Sequence, residues 1–346
     1  MKNKSIFKLN IIYFLALFLV ATIFLLGYTG ILQNEYLTTF LIQIVTMFAI
    51  PMLMYSLLMK RNIKKTLNDF GLRKISASMV IISILLGFVL YFINSFVADA
   101  FYGIITLFGY ETISSSSVTT TISYATLLKE LVLSCILPGF CEEFLHRGLM
   151  LFAKKEHSNP KYCLIISSIL FGLTHLNIRQ FFYASILGFL IGYTSLVANS
   201  IIPGIIIHFM NNFLSNYFFY GSYFNWPLAK FVNNITLTLS SNIVIFLITS
   251  VIFVLMLFLA YKYLTRCLLK ERAKKDIKTI VKALKMEQLS IEEAQEKFTQ
   301  VNALLKNKSI NQSKNKKFCL IDNIFLISSF VLGTLITISS FIWGVI

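Results

Sequence analysis

Nine runs of mostly apolar residues, separated by short polar connections, constrain this chain more than any other feature. About 20 such residues in a row is the length that crosses lipid as a helix. The runs lie at roughly 10–31, 36–59, 77–98, 125–153, 162–176, 180–198, 201–220, 242–264 and 319–343. They predict an all-α fold, a polytopic transmembrane helical bundle of about nine helices. Composition agrees, since 57% hydrophobic and 13% charged residues over 346 positions lie outside the averages of soluble domains. The expected organisation is N-terminal helices over 1–124, a core over 125–220, an extracellular loop and helix over 221–265, a basic cytoplasmic helical segment over 266–317 and a C-terminal helix over 318–346.

The formal charge of +16, from 31 Lys and Arg against 15 Asp and Glu, raises the question of nucleic acid. The placement of the charges answers it. Once the apolar runs are removed, no basic, aromatic-interleaved globular domain is left, and no nucleic-acid partner is expected. Lys60, Arg61, Lys64, Lys65, Arg73 and Lys74 follow the second run, Lys154, Lys155 and Lys161 follow the fourth, and a long basic segment follows the eighth. Positive loops mark the cytoplasmic side, so the N-terminus is expected inside and the C-terminus outside, in a multi-pass protein of the cell membrane. The first run follows Lys2, Lys4 and Lys8 but is too long for a signal peptide and ends in no small-residue cleavage site, so it is expected to be an anchor.

Cys135, Cys141, Cys163, Cys267 and Cys319 form no CxxC pair and no zinc-like spacing, which leaves them as small apolar fillers. Between Arg266 and Lys317, Ser290 and Glu293 make a capping-box signal ahead of Ala294, Phe298, Val301 and Leu305 at helical spacing. This predicts a cytoplasmic helical hairpin. It is either a solvated basic segment against anionic lipid or a surface for a cytoplasmic partner or self-association. The Ser/Thr-rich loop from Glu111 to Thr121 is expected outside, as a lid or a connector.

Chemistry points to the fourth run, which reads Cys141, Glu142, Glu143, Phe144, Leu145, His146, Arg147, Gly148. An ionised residue at a helix centre costs on the order of 2.5–3.5 kcal/mol to insert, so three unpaired ones would cost about 8–10 kcal/mol. Glu143 and Arg147 are four apart with the carboxylate on the N-terminal side, so they share a face and are expected to pair as structural support. Glu142, about 100° round the helix, is left to face a cavity as a general base for water. Pro138, beside Gly139, removes a helical hydrogen bond one turn earlier and is expected to open space there.

Phe171 and His175 share a face at the end of the fifth run, and His208 and Asn212 share a face of the seventh. Hydrolysis of a peptide bond needs a base for water, donors for an oxyanion and an acid for the leaving amine. Glu142 with His175 can activate the water, and His208 with Asn212 can donate to the oxyanion. No HExxH helix, GxSxG elbow or intramembrane Asp pair is present, Asp99 standing alone near a helix end. Two other readings use the same residues: a transporter built on the buried charges, and a non-catalytic scaffold or regulator in which 266–317 binds a partner.

Glu142, Glu143 and Arg147 as EExxxR, Phe171 to His175 as FxxxH, and His208 to Asn212 as HxxxN together resemble the CPBP intramembrane proteases, relatives of the CAAX prenyl endopeptidase and of bacteriocin-immunity proteins. The resemblance covers roughly 125–220. It implies a membrane endopeptidase with Glu142 as catalytic carboxylate, His175 holding water, His208 and Asn212 in the oxyanion role, and Glu143 and Arg147 in support. His146 departs from the family's apolar or aromatic residue; it is expected either to bond Glu142 or to reach the interface.

The family is described both with zinc and without. His175, His208 and Glu142 would suffice for a catalytic zinc with an open position, while Asn212 suits an oxyanion better than a metal. No obligatory cofactor is therefore expected. The expected substrate is a membrane-embedded or lipidated peptide or protein, cut near the cytoplasmic side, because Glu142 lies only about 16 Å of helical rise from the basic end of its run. Trp343 to Ile346 holds no Cys and is not itself a prenylation box.

Overall fold

A computed structural model describes residues 3–111, 122–240, 243–305 and 319–345. The described residues form a bundle of twelve helices: α1 Lys4–Tyr28, α2 Glu35–Leu58, α3 Ile63–Asp69, α4 Ala77–Thr106, α5 Tyr124–Ala153, α6 Pro160–Leu173, α7 Ile178–Ala198, α8 Ile202–Tyr223, α9 Pro227–Ser240, α10 Ile243–Lys285, α11 Ile291–Leu305 and α12 Leu320–Val345. No strand occurs among the described residues. Most of the loop from Glu111 to Thr121 lies outside them, as does 306–317 of the basic segment.

Among the described residues seven helices are long and apolar enough to cross a membrane: α1, α2, α4, α5, α7, α10 and α12. The other two of the nine expected spans, α6 and α8, fall outside this set by length and by hydropathy. Helix α6 has 14 residues, about 21 Å of rise, short of the ~30 Å of a hydrocarbon core. Helix α8 is long enough but carries His208, Asn211, Asn212 and Asn216, which dilute its hydropathy. Because α6 stops early, Thr174 to Asn177 form an irregular turn, with Leu176 at a φ of 51°. Non-helical backbone at such depth is tolerated only inside protein or against a water-filled space.

The core helices α5 to α8 are enclosed by α4, which packs on α7, α8 and α10, and by α1, which packs on α12. Three basic segments converge at one end of the bundle. Arg73 donates to Asn199, Lys275 donates to Lys74 O, and Arg272 Nη1 donates to Val197 O at 2.9 Å, so Arg73 and Arg272 cap the carbonyl end of α7. This end is closed. Every residue from Cys141 to Lys154 is buried, with Phe70 wedged on Gly148 and Gly71 on Phe152.

Helix α10 runs unbroken from Ile243 to Lys285, through the expected boundary at 265/266, and α11 folds back on it. Ser290 Oγ accepts from Glu293 N at 3.1 Å while Glu293 Oε2 accepts from Ser290 N at 3.0 Å, the expected capping box. Ala294, Phe298 and Val301 pack on Ala273, Ile277 and Ile280. The apolar stripe that the sequence offers to a partner is thus covered by α10.

At the same end Lys154 is fully buried, its Nζ donating to Asn10 Oδ1 at 2.7 Å. Burial pushes this ammonium from its ordinary 10.5 down to about 8. Between those values the unfolded chain binds more protons than the folded one, so stability rises with pH. Thermal stability followed from pH 7.5 to 10 is expected to climb more steeply for wild type than for Lys154→Met; parallel curves would discard Lys154 as the cause.

Candidate active site

Two π-helical stretches, Leu131–Ile136 and Phe144–Ala153, flank the short α-helical turn that carries Glu142 and Glu143. Such widened turns re-aim side chains and recur at functional sites. Pro138 has no N–H to offer Ser134 O, four residues back. Asn212 Nδ2 donates to that carbonyl at 2.9 Å, tying α8 to the distorted turn. Gly139 permits the close approach, since a Cβ there would sit 3.1 Å from Phe209 N.

Glu143 and Arg147 form a fully buried pair, Nη1 donating to Oε1 at 2.7 Å. Arg147 Nη2 donates to Gly188 O at 3.1 Å, and its guanidinium lies 4.5 Å from the centre of the Phe171 ring. Glu143 has a second partner that spacing alone does not reveal, His208, whose Nδ1 lies 3.0 Å from the same Oε1. A carboxylate only accepts, so Nδ1 carries the proton and His208 directs Nε2 elsewhere. Gly204 makes room for the carboxylate; a Cβ there would lie 2.7 Å from Glu143 Oε2.

Glu142 is 8% exposed, and its Oε2 lies 4.0 Å from His208 Nε2. Its Oε1 accepts from Gln43 Nε2 at 2.8 Å. Gln43 sits in the π-helical stretch Leu41–Ala49 of α2 and was not among the sequence candidates. The signal was there, as an amide alone in the apolar run Phe40 to Val45, but an uncharged side chain is easily passed over beside three charges.

His175 stands just beyond α6, its Nδ1 donating to Phe171 O at 2.8 Å. A carbonyl only accepts, so the lone pair of neutral His175 is on Nε2. Phe171 is the common wall: its ring centre is 5.2 Å from that of His175 and 5.5 Å from that of His208. Glu142, His175, His208 and Asn212 all line one cavity of about 820 Å³, so the structure brings the four sequence candidates together. Asn212 Nδ2 keeps a second N–H beyond the one given to Ser134, and its Oδ1 accepts from Asn211 at 3.1 Å.

One expectation is corrected. His146 neither bonds Glu142 nor reaches an interface: it is fully buried, with Nε2 3.3 Å from Thr174 Oγ1 and its ring packed on Tyr13 and Phe171. It lies four residues after Glu142, but the π-helical register that starts at Phe144 takes it round to α1 and α6. Among the described residues no three His, Cys, Asp or Glu side chains group as metal ligands would; His175, His208 and Glu142 line one cavity.

Against known proteins, residues 124–214 match the family model described as type II CAAX prenyl endopeptidase Rce1-like. Neither a curated protein nor a solved structure gives a match.

Proposed function

From the premise that residues 124–214 match the type II CAAX prenyl endopeptidase Rce1-like family, we propose that the chain is an intramembrane protease that hydrolyses a peptide bond of a membrane-associated substrate with a water activated by Glu142. The observation that supports this reading is the Glu142 carboxylate at the base of a polar cavity, one oxygen fixed by Gln43 and the other turned toward His208.

A water in this cavity donates one hydrogen bond to Glu142 Oε2 and one to His175 Nε2, which leaves an oxygen lone pair for the substrate carbonyl. Glu142 takes the proton as the bond forms and passes it to the amine as the C–N bond breaks. The developing oxyanion accepts from the free N–H of Asn212 and from Nε2 of His208 in its doubly protonated form. Arg147 and Glu143 act through His208 and the helix rather than on substrate. No step is assigned to a metal.

A quenched-fluorescent peptide set, incubated with the purified chain in liposomes, tests the reading. His175→Ala is expected to lower turnover by about 10²-fold or more, since it removes one of the two groups holding the water. Cleavage at the wild-type rate would discard His175 from the mechanism. Gln43→Leu removes a hydrogen bond to a charged group worth about 1.5–3 kcal/mol, so kcat is expected to fall by roughly 10–100-fold with KM little changed. A change in KM alone would show that Gln43 binds substrate instead of orienting Glu142.

A further inference from the structure

The cavity that reaches Glu142 is graded in depth. Its base is buried, with Phe171 1%, His208 3% and Glu142 8% exposed. Its exposed rim is Asp99, Arg179 and Ser215. The rim lies at the far ends of the helices from the basic loops. Asp99 is about 33 Å along α4 from Ala77, and Arg179 about 28 Å along α7 from Ala198, whereas His208 is only about 9 Å along α8 from Ile202. Below Glu142, toward the basic loops, lies the closed stretch Cys141 to Lys154. Glu142 is nearer the basic end by count, yet it is reached from the other.

The lining is amide-rich, with Asn94, Asn177, Gln180 and Asn211 joined by the hydroxyls of Tyr91 and Tyr183. Asn94 Oδ1 is a buried acceptor without a partner. Amide side chains offer donors and acceptors together, as the unpaired backbone of an extended peptide requires. An isoprenyl chain would leave them unsatisfied. About 820 Å³ lies in the upper part of the range of ligand pockets, roughly 300–1,000 Å³.

We infer that the substrate is a polar, extended peptide segment that enters from the face opposite the basic loops, the extracytoplasmic face by the positive-inside rule. This rests on the proteolytic reading above and assigns it a side and a substrate class. A prenylated cytoplasmic C-terminus fits neither the lining nor the entrance.

The test labels cysteines in the full-length chain with a membrane-impermeant maleimide, in right-side-out and inside-out vesicles. Gln180→Cys and Ser95→Cys report the cavity, two positions guarding against one that misfolds, and Lys274→Cys reports the basic end. The native protein is the background, because its partly exposed thiols, Cys267 and Cys319, lie at the basic end. Gln180→Cys or Ser95→Cys is expected to label at least about 10-fold faster in right-side-out vesicles, and Lys274→Cys the reverse. Labelling of the cavity positions from the same side as Lys274→Cys overturns the entrance and leaves the role of Glu142 standing. In parallel, a hydrophilic quenched peptide outside right-side-out vesicles is expected to be cut by wild type and not by Glu142→Gln. Equal cutting by both overturns the proteolytic reading, and the inferred substrate with it, whatever the labelling shows.

Discussion

Glu142→Gln is expected to slow peptide hydrolysis by about 10²–10⁴-fold, the loss associated with a positioned general base, while the melting temperature stays within a few degrees of wild type. The two outcomes separate because Glu142 has little structural duty. Its Oε1 accepts from Gln43, and the amide oxygen of the substitute accepts in the same way. Its Oε2 is 4.0 Å from His208, beyond hydrogen-bond length, so no buried bond is lost. The substitute fills the same volume and cannot take a proton from water. An unchanged rate would mean that the base is elsewhere; a large fall in melting temperature would mean that Glu142 holds the helices together and that lost activity says nothing of chemistry.

Arg147→Met is expected to show the opposite pattern, destabilising the protein by about 3–5 kcal/mol, because removing one partner of a buried ion pair strands the other. Glu143 is fully buried, and in wild type its Oε2 already has no partner. Without Arg147 its remaining polar partner is His208, and Gly188 O loses its donor. Arg147→Lys is expected to recover only part of the loss, since an ammonium cannot bond Glu143 and Gly188 O while stacking flat on Phe171. The double substitution Glu143→Gln with Arg147→Met removes both charges and is expected to be more stable than Arg147→Met alone. Thermal unfolding in detergent, read as loss of the monodisperse fraction, measures all three. Arg147→Met melting with wild type would show that the pair contributes no net stability.

The contrast between these substitutions shows how far local spacing reaches. The Glu143–Arg147 pair was legible because both residues stand on one helix, four apart, where geometry is set by the helix alone. The gathering of His175, His208 and Asn212 was legible only through motif order, since their helices meet by packing. Gln43 bonds Glu142 across 99 positions of chain, and nothing local to either residue announces it. His146 was misread for a local reason, because its position was counted on an α-helix and the backbone there is π-helical.

Span counting met a similar limit. Hydropathy found every apolar run but could not tell that α6 stops after 14 residues, leaving His175 on a turn against the cavity. The charge pattern did foresee that the basic segments gather at one end, since like loops of an alternating bundle must. Which end opens to the site is a matter of plug and rim, of Phe70 and Phe152 against Asp99 and Arg179, and no single stretch of sequence holds that information.

The most direct test of the central claim compares the peptide termini present in membranes that carry wild type or Glu142→Gln at equal abundance. A protease acting through Glu142 predicts a defined set of new termini with wild type, absent with Glu142→Gln. Identical sets would contradict the claim that this chain cuts peptide bonds with Glu142.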